Sequence, residues 1–388
     1  MIFRKEKDRL IIELKGRIDS GNADETERGI REILAQEGGI PAFDAGELVY
    51  ISSAGLRIFL HLMKEFAPTR IVVENVTPEV YDIFSMTGFT ELMDIRKRLR
   101  ELALDGCEQI GQGRTARVYR TDPDTVVKVY NKPDSLPVIR HEQQMAKQVF
   151  LKGIPTAISY DIVRVGELYG AVYELIRAET FNDLIIRDPD HADDTIRSFT
   201  EFVKFFHSTK ADSAVIPSAR NIFSRYLEAL RVRAGEALYE RLKALLASAP
   251  EGDSLIHGDF QLKNLLMMKG EPMVIDMDTL CYGHPVYDLQ GLFMTYTLFS
   301  EDDPGNSERF LGLSDEMAAH IWERFYADYT EGMPEEERQE LDFWIRLLAR
   351  IRFINVQINT DLNGSELAEK RIRRSLKVLS DLTNAGKE

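Results

Sequence analysis

Cysteine is nearly missing from this chain. Its 388 residues hold two, Cys107 and Cys281, without the paired spacing that a zinc site or a disulfide framework requires, so both are expected to be reduced and structural. Long apolar runs are missing as well. No stretch approaches the roughly 18 apolar residues of a membrane span, and the opening Met-Ile-Phe-Arg-Lys-Glu-Lys-Asp has no apolar core of a secretory signal. The expected setting is the cytoplasm, with no membrane partner. Positive charge is in short supply: a formal net charge of -15 and a pI near 5.1 disfavour nonspecific binding to nucleic acid or anionic lipid. There is no Pro-, Ser- or Gly-rich linker, no internal repeat and no low-complexity tract. Any domains are therefore expected to dock closely.

What is present is ordinary globular composition, 44% apolar and 29% charged, over a length that exceeds what one core usually serves. Two or more domains follow. Up to about residue 96, strand-like and helix-like segments alternate at the short spacing of a compact mixed domain. Strands are expected at 10–14 and 71–73, buried segments at 42–43 and 48–51, and helices at 22–34, 53–64 and 80–86, the last stopping at Gly88. The stretch 102–106 reads as the first strand of the next domain.

The run Val49-Tyr50-Ile51-Ser52-Ser53-Ala54-Gly55-Leu56-Arg57, entered from Phe43-Asp44 and preceded by Gly16-Arg17-Ile18-Asp19, resembles the STAS family of anti-sigma-factor antagonists. The resemblance covers about the first hundred residues and implies a small mixed sheet with helices. It also implies a serine at the amino end of a helix, phosphorylated by a partner kinase in switch-type members; alignment on Gly55-Leu56 puts that serine at Ser53. Free N–H groups and the positive end of the helix dipole accept either a serine cap or a phosphate. Both roles stay open for Ser53, and Ser52 stands where switch members often carry an acidic residue.

Further along, His257-Gly258-Asp259 is followed by Asn264, five residues past the aspartate, and by Asp276-Met277-Asp278 between apolar flanks. These residue types suit phosphoryl transfer. Asp259 can orient a hydroxyl and take its proton, while Asn264 and Asp276, brought together by a hairpin, can hold Mg²⁺. His257 is expected to organise the loop. Asp278 is either a neighbouring carboxylate or a loop cap, and Lys263 either reaches the transferring phosphate or is solvated.

Nucleotide-binding candidates precede that run. Gly111 and Gly113 in Ile110-Gly111-Gln112-Gly113 fall between two strand candidates, where a hairpin turn would let backbone N–H groups approach phosphates. Lys128 lies among apolar neighbours in Val126-Val127-Lys128-Val129-Tyr130, suited to the α/β-phosphates, and Glu142, in a helical run over 138–150, can pair with it. The backbone from Glu174 to Ile176 can hydrogen-bond an adenine edge or belong to a plain core strand.

Together with Gly153-Ile154-Pro155-Thr156, Phe206-His207-Ser208-Thr209, Gly283-His284-Pro285 and Asp288-Leu289, these residues resemble, in order, the aminoglycoside phosphotransferase and choline kinase-like branch of the protein-kinase-like fold, over about 100–385. The resemblance implies ATP and Mg²⁺, a bilobal fold with a largely helical second lobe, and transfer of the γ-phosphoryl to a hydroxyl. It gives His207 and Asp288 scaffold roles. The sequence departs from protein kinases: no Phe-Gly follows Asp276, no Ala-Pro-Glu occurs, and 11 residues lie between Asp276 and Asp288, too few for a peptide-positioning segment.

The fold expected is therefore α/β and α+β: a STAS-like domain over 1–97 and a kinase-like domain over 98–388, with lobes at about 98–177 and 178–388. The function expected is small-molecule phosphotransfer with a regulatory or docking STAS-like domain that offers a protein-partner surface. Two alternatives stand beside it, a signalling kinase acting on Ser53 or on a partner STAS protein, and a nucleotide-sensing scaffold. In the carboxy-terminal part, apolar residues at helical period over 341–358 mark a core helix. The resemblance implies that the equivalent helices wall the acceptor site, where Asp302, Asp303, Glu323 and Asp361 either bind a cationic acceptor or are simply solvated.

Overall fold

The computed structural model describes residues 2–6, 9–113, 115–360 and 363–385. It divides into two compact units, Met1–Ala103 with Ile162–Glu167, and Leu104–Asp161 with Leu168–Glu388. Asp361 lies outside the described residues.

In the first unit, β1 (Phe3–Glu6), β2 (Arg9–Ile18), α1 (Ala23–Glu37), β3 (Ile40–Ile51), α2 (Ser53–Glu65), β4 (Val72–Val76), α3 (Pro78–Met86), α4 (Phe89–Leu92) and β5 (Asp94–Lys97) follow in order. They build a five-stranded sheet in the order β1-β2-β3-β4-β5. Its first pair is antiparallel and the rest parallel, because helical crossovers return the chain in the same direction.

Period-two alternation decides which face is buried. Leu10, Ile12 and Leu14 join Phe43, Phe59 and Phe84 in the main core, whereas Ile11, Ala42 and Val72 form a small cluster of their own. Gly55 admits the close approach of α2: a Cβ there would lie 2.7 Å from Ile51 Cγ1 and 2.8 Å from Ile18 Cγ2.

A short strand β6 (Arg100–Glu101) closes this stretch. The segment 102–106 is not a strand; it turns at Asp105-Gly106, where Gly106 takes a left-handed φ of 78° that a strand interior would not accommodate. The next strand is β7 (Glu108–Gln112), followed by β8 (Ala116–Asp122), β9 (Thr125–Tyr130), α5 (Leu136–Leu151), β10 (Asp161–Val165) and β11 (Leu168–Glu174). Strands β7, β8, β9 and β11 are antiparallel neighbours, and Lys128 in β9 stands between Val118 and Ala171.

The remainder is mainly helical: β12 (Glu179–Thr180), α6 (Phe181–Arg187), α7 (Ala192–Ser208), α8 (Ala219–Ala234), α9 (Glu236–Ala247), β13 (Ser254–Ile256), β14 (Leu265–Met268), β15 (Glu271–Val274), β16 (Cys281–Gly283), α10 (Val286–Phe293), a π-helical turn Met294–Leu298, α11 (Asn306–Leu311), α12 (Asp315–Tyr329), α13 (Glu335–Ile358) and α14 (Glu366–Ala385). An extensive apolar core built around Phe199, Phe206, Phe260 and Ile351 runs through this lobe. A mixed α/β unit followed by a bilobal unit with a helical second lobe is the fold class expected from the sequence. Among the described residues no helix is long and apolar enough to cross a membrane.

Candidate active site

The local folds that carry the candidate residues have simple causes. Helix α5 buries Ile139, Met145, Ala146 and Val149, and Glu142 falls on the same face, so a carboxylate is carried into an apolar stripe. It is 5% exposed and needs partners there. Lys128 Nζ donates to its Oε1 at 2.9 Å, Tyr173 donates to the same oxygen at 3.2 Å, and the Tyr130 hydroxyl donates to Oε2. Burial and the charge of Glu142 push both phenols above their ordinary range.

Lys128 also donates to Asp276 Oδ1 at 2.6 Å. Burial works to lower its pKa, but the charges of Asp276 and Glu142 outweigh that and hold it above the usual lysine range.

The β14–β15 hairpin turns on Lys269-Gly270, with φ of 53° and 87°, the two left-handed residues of a tight two-residue loop. Its register sets Leu265 against Val274, and Ile275 N–H then donates to the Asn264 carbonyl at 3.0 Å. Asn264 and Asp276 are thus brought to one end of the hairpin. Asp276 is itself left-handed, φ 69° and ψ 64°, a conformation that is uncommon for a non-glycine residue and that clusters at functional sites.

The loop after β13 is fully wired. Asp288, completely buried, accepts His257 N–H and Gly258 N–H at 2.7 Å each. Its Oδ2 also meets His207 Nε2 at 3.0 Å, while His207 Nδ1 meets the Tyr329 hydroxyl at 2.9 Å. His257 Nε2 faces the Ile275 carbonyl at 3.0 Å, which can only accept, and Nδ1 takes the Asp259 N–H at 3.2 Å. In this pattern Nε2 donates and Nδ1 accepts. His257 thereby ties the Asp259 backbone to the Ile275 carbonyl. Gly258 has φ 83°, and a Cβ there would lie 2.4 Å from the Thr279 carbonyl oxygen, so no other residue fits. Asn264 Nδ2 donates to the Asp259 carbonyl at 2.9 Å.

A cavity of about 770 Å³ opens beneath the β7–β8 hairpin. Gly113, Lys128, Glu142, Glu174, Ile176, Asp259 and Asp276 line it, together with apolar Ile110, Val118, Val126 and Leu266. Gly111 and Asn264 are not among its lining residues. Gly111 sits inside β7 instead of the turn, its missing Cβ facing Val118 at 3.4 Å. Gly113 forms the turn, its N–H bonded to the Ala116 carbonyl at 2.9 Å.

Asp278 shares the cavity wall. Burial, then the charges of Asp276 and Glu142, push its carboxyl up to about 7. Lys263 points elsewhere, its amine donating to the Phe310 carbonyl.

Three groups of residues lay beyond the sequence expectations. Arg352 NH2 donates to Asp259 Oδ1 at 3.1 Å, and Gln261 Nε2 to Oδ2 at 3.2 Å. Asn355, Val356 and Asn359 continue the α13 wall of the cavity beside Arg352. The available signal was a polar stripe at positions 352, 355 and 359, helical spacing hidden by the apolar period of the same helix. The acidic candidates behave differently. Asp302 meets Lys370 at 3.2 Å and Arg374 at 3.0 Å, and Asp303 meets Arg309 at 2.6 Å and Arg371 at 3.4 Å. Internal cations pair with both carboxylates, and none of Asp302, Asp303 or Glu323 lines the cavity.

In the first unit Ser52, not Ser53, caps α2, its Oγ accepting Gly55 N–H at 3.4 Å. Ser53 is the first helical residue and is exposed.

Residues 106–334 match the phosphotransferase enzyme family (APH), and residues 2–102 match the STAS domain. A candidate anti-sigma factor antagonist of Bordetella bronchiseptica, BtrV, is 31% identical over 88 residues, 22% of this chain and 76% of that protein. Solved structures similar to the chain include a streptomycin-ATP complex of APH(2")-IIa, 16% identical with a TM-score of 0.48 over 71% of this chain and 93% of that one. A choline/ethanolamine kinase family protein from Mesorhizobium loti is 17% identical with a TM-score of 0.46, over 72% and 91% respectively. The chain belongs to the phosphotransferase enzyme family, with a STAS domain ahead of the phosphotransferase region.

Proposed function

We propose that the protein transfers the γ-phosphoryl of ATP, with Mg²⁺, to a hydroxyl of a small molecule, in a domain spanning about 98–388, and that the STAS domain, about 1–97, regulates it or docks a protein partner. The observation that carries this is Lys128, held on a central strand by Glu142 at 2.9 Å and Asp276 at 2.6 Å, facing a cavity that Asp259 also lines. A cation and a carboxylate side by side are the partners that a phosphate and a metal ion would respectively take.

In this scheme Gly113 turns the hairpin over the phosphates while Gly111 packs inside β7 against Val118, and Lys128, fixed by Glu142, takes the α/β-phosphates. The backbone of Glu174 to Ile176 meets the adenine edge between the apolar walls. Asp276 and the Asn264 amide oxygen would hold Mg²⁺. Among the described residues no three His, Cys, Asp or Glu side chains are grouped to hold a metal unaided. Magnesium ordinarily takes one or two carboxylates plus phosphates and water, so the donors fit it. When bound, the ion would neutralise phosphate charge.

Asp259 orients the acceptor hydroxyl and takes its proton as the oxygen bonds to phosphorus. The bond to the β-phosphate oxygen breaks, and its electron pair leaves on ADP. Arg352 and Gln261 fix the carboxylate, and the Asp288 network holds the loop that carries it.

A second scheme, phosphorylation of Ser53 or of a partner STAS protein, is favoured by the position of Ser53, whose exposed hydroxyl is not spent on the cap. Incubation of the full chain with γ-labelled ATP, Mg²⁺ and a panel of alcohols separates the two. Labelled small molecules are expected. Label on the protein that disappears in Ser53→Ala would favour the second scheme, and nucleotide binding with no labelled product of either kind would reduce the chain to a nucleotide sensor.

A further inference from the structure

Two cations line the cavity among its described residues, Lys128 and Arg352. Lys128 is spent on two carboxylates. Arg352 is not: its side chain is 12% exposed, and its one hydrogen bond is the 3.1 Å contact from NH2 to Asp259 Oδ1. A guanidinium carries five N–H donors. The other four have no protein acceptor among the described residues, on a guanidinium that lines the cavity.

The fold makes room for this group. Gly291 in α10 lies beneath it, and a Cβ there would come 2.8 Å from Arg352 NH1. Beside it on the wall Gln261, Asn355 and Asn359 bring amides and Val356 is apolar, while the cavity's carboxylates are Glu142, Glu174, Asp259, Asp276 and Asp278. Meanwhile the carboxylates that would attract a polycation, Asp302 and Asp303, are neutralised by Lys370, Arg374, Arg309 and Arg371 away from the cavity.

We propose that Arg352 is a specificity-determining residue that binds an anionic group, carboxylate or phosphate, on the acceptor alcohol. The proposal rests on the phosphotransfer chemistry above and names its substrate class. A planar fork with spare donors matches two anionic oxygens. An acceptor anion that draws the guanidinium toward itself also releases Asp259 Oδ1 for the hydroxyl proton. The base is then freed by the substrate it serves.

The test is calorimetric binding of matched compounds to the full chain with Mg²⁺ and a nonhydrolysable ATP analogue: glycerol, glycerate, glycerol phosphate and aminopropanediol, then glucose, gluconate, glucose 6-phosphate and glucosamine. Anionic members of at least one set are expected to bind at least tenfold more tightly than the neutral and aminated ones. Comparison of carboxylates with phosphates shows which anion is preferred. Arg352→Gln is expected to erase that tenfold preference with nucleotide affinity retained, and Arg352→Lys to restore part of it. Gly291→Ala keeps the charge but displaces NH1, the movable end of the side chain, and is expected to reduce the preference several-fold. Neutral or aminated compounds binding as well, no anionic compound binding at millimolar concentration, or a preference that survives Arg352→Gln would each overturn the proposal. Failure of the nucleotide analogue itself to bind would count against the phosphotransfer chemistry instead, and the anion preference would then be read on the nucleotide-free protein by the same criteria.

Discussion

Two helix-proximal loops, one in each unit, carry the residues that look functional in the sequence, and they are built in opposite ways. The Ser52-Ser53 start of α2 is an open helix end: one long cap bond at 3.4 Å, one exposed hydroxyl, and rigidity supplied from below by Gly55 against Ile18 and Ile51. The loop from His257 to Asn264 is closed. Nearly every polar group there is committed, to Asp288, Ile275, Thr279 or Arg352, and the backbone holds left-handed turns at Gly258 and Asp276. A site to be modified by another protein needs access and little else, whereas a site that performs chemistry must hold its groups still before the substrate arrives.

If that contrast is right, substitutions should separate the loops by size of effect. Asp288→Ala leaves buried His257 and Gly258 N–H groups and His207 without an acceptor. It is expected to cost about 4 kcal/mol, read in the denaturant transition of the full chain. A loss near zero would show the closed network to be decorative. Glu142→Gln removes one of the charges that fix Lys128 and is expected to weaken ATP binding about tenfold, or about 1.4 kcal/mol, by calorimetry. Unchanged affinity would detach Lys128 from the nucleotide.

On the open side, Ser52→Ala removes a long cap bond and should cost roughly 0.5–1 kcal/mol. Ser53→Ala should fall within about 0.5 kcal/mol of the parent; a larger loss would mean that Ser53 is structural after all.

The same contrast explains how much was legible in the sequence. The candidate loop could be read because its pattern is local: His257, Gly258, Asp259 and Asn264 fall within eight positions, and a hairpin with a two-residue turn delivers Asp276. Glu142 was legible as a candidate partner of Lys128 from its place in the helical run over 138–150, and the structure adds that it shares a face with Ile139, Met145 and Val149. Arg352 was not, because 93 residues separate it from Asp259 and the apolar period of α13 masks its polar stripe. Asp302 and Asp303 misled for the same reason. Their cations on α14 lie some seventy residues away, where no local pattern announces a pairing, although Arg309, which also meets Asp303, is only six positions on. Alignment placed Ser53 at the head of α2, but which of two adjacent serines caps a helix depends on backbone angles, and Ser52 has the extended conformation a cap needs. Gly106 was likewise invisible as a strand breaker until its turn was placed.

The central claim, that Asp259 is the base of a phosphotransfer cavity floored by Lys128, is tested most directly by comparing label transfer from γ-labelled ATP by the full chain and by its Asp259→Ala variant, with nucleotide affinity measured on both. The expected result is turnover lower by a factor of about 10² to 10⁴ with ATP affinity within about threefold of the parent. Equal turnover in the two proteins would contradict it.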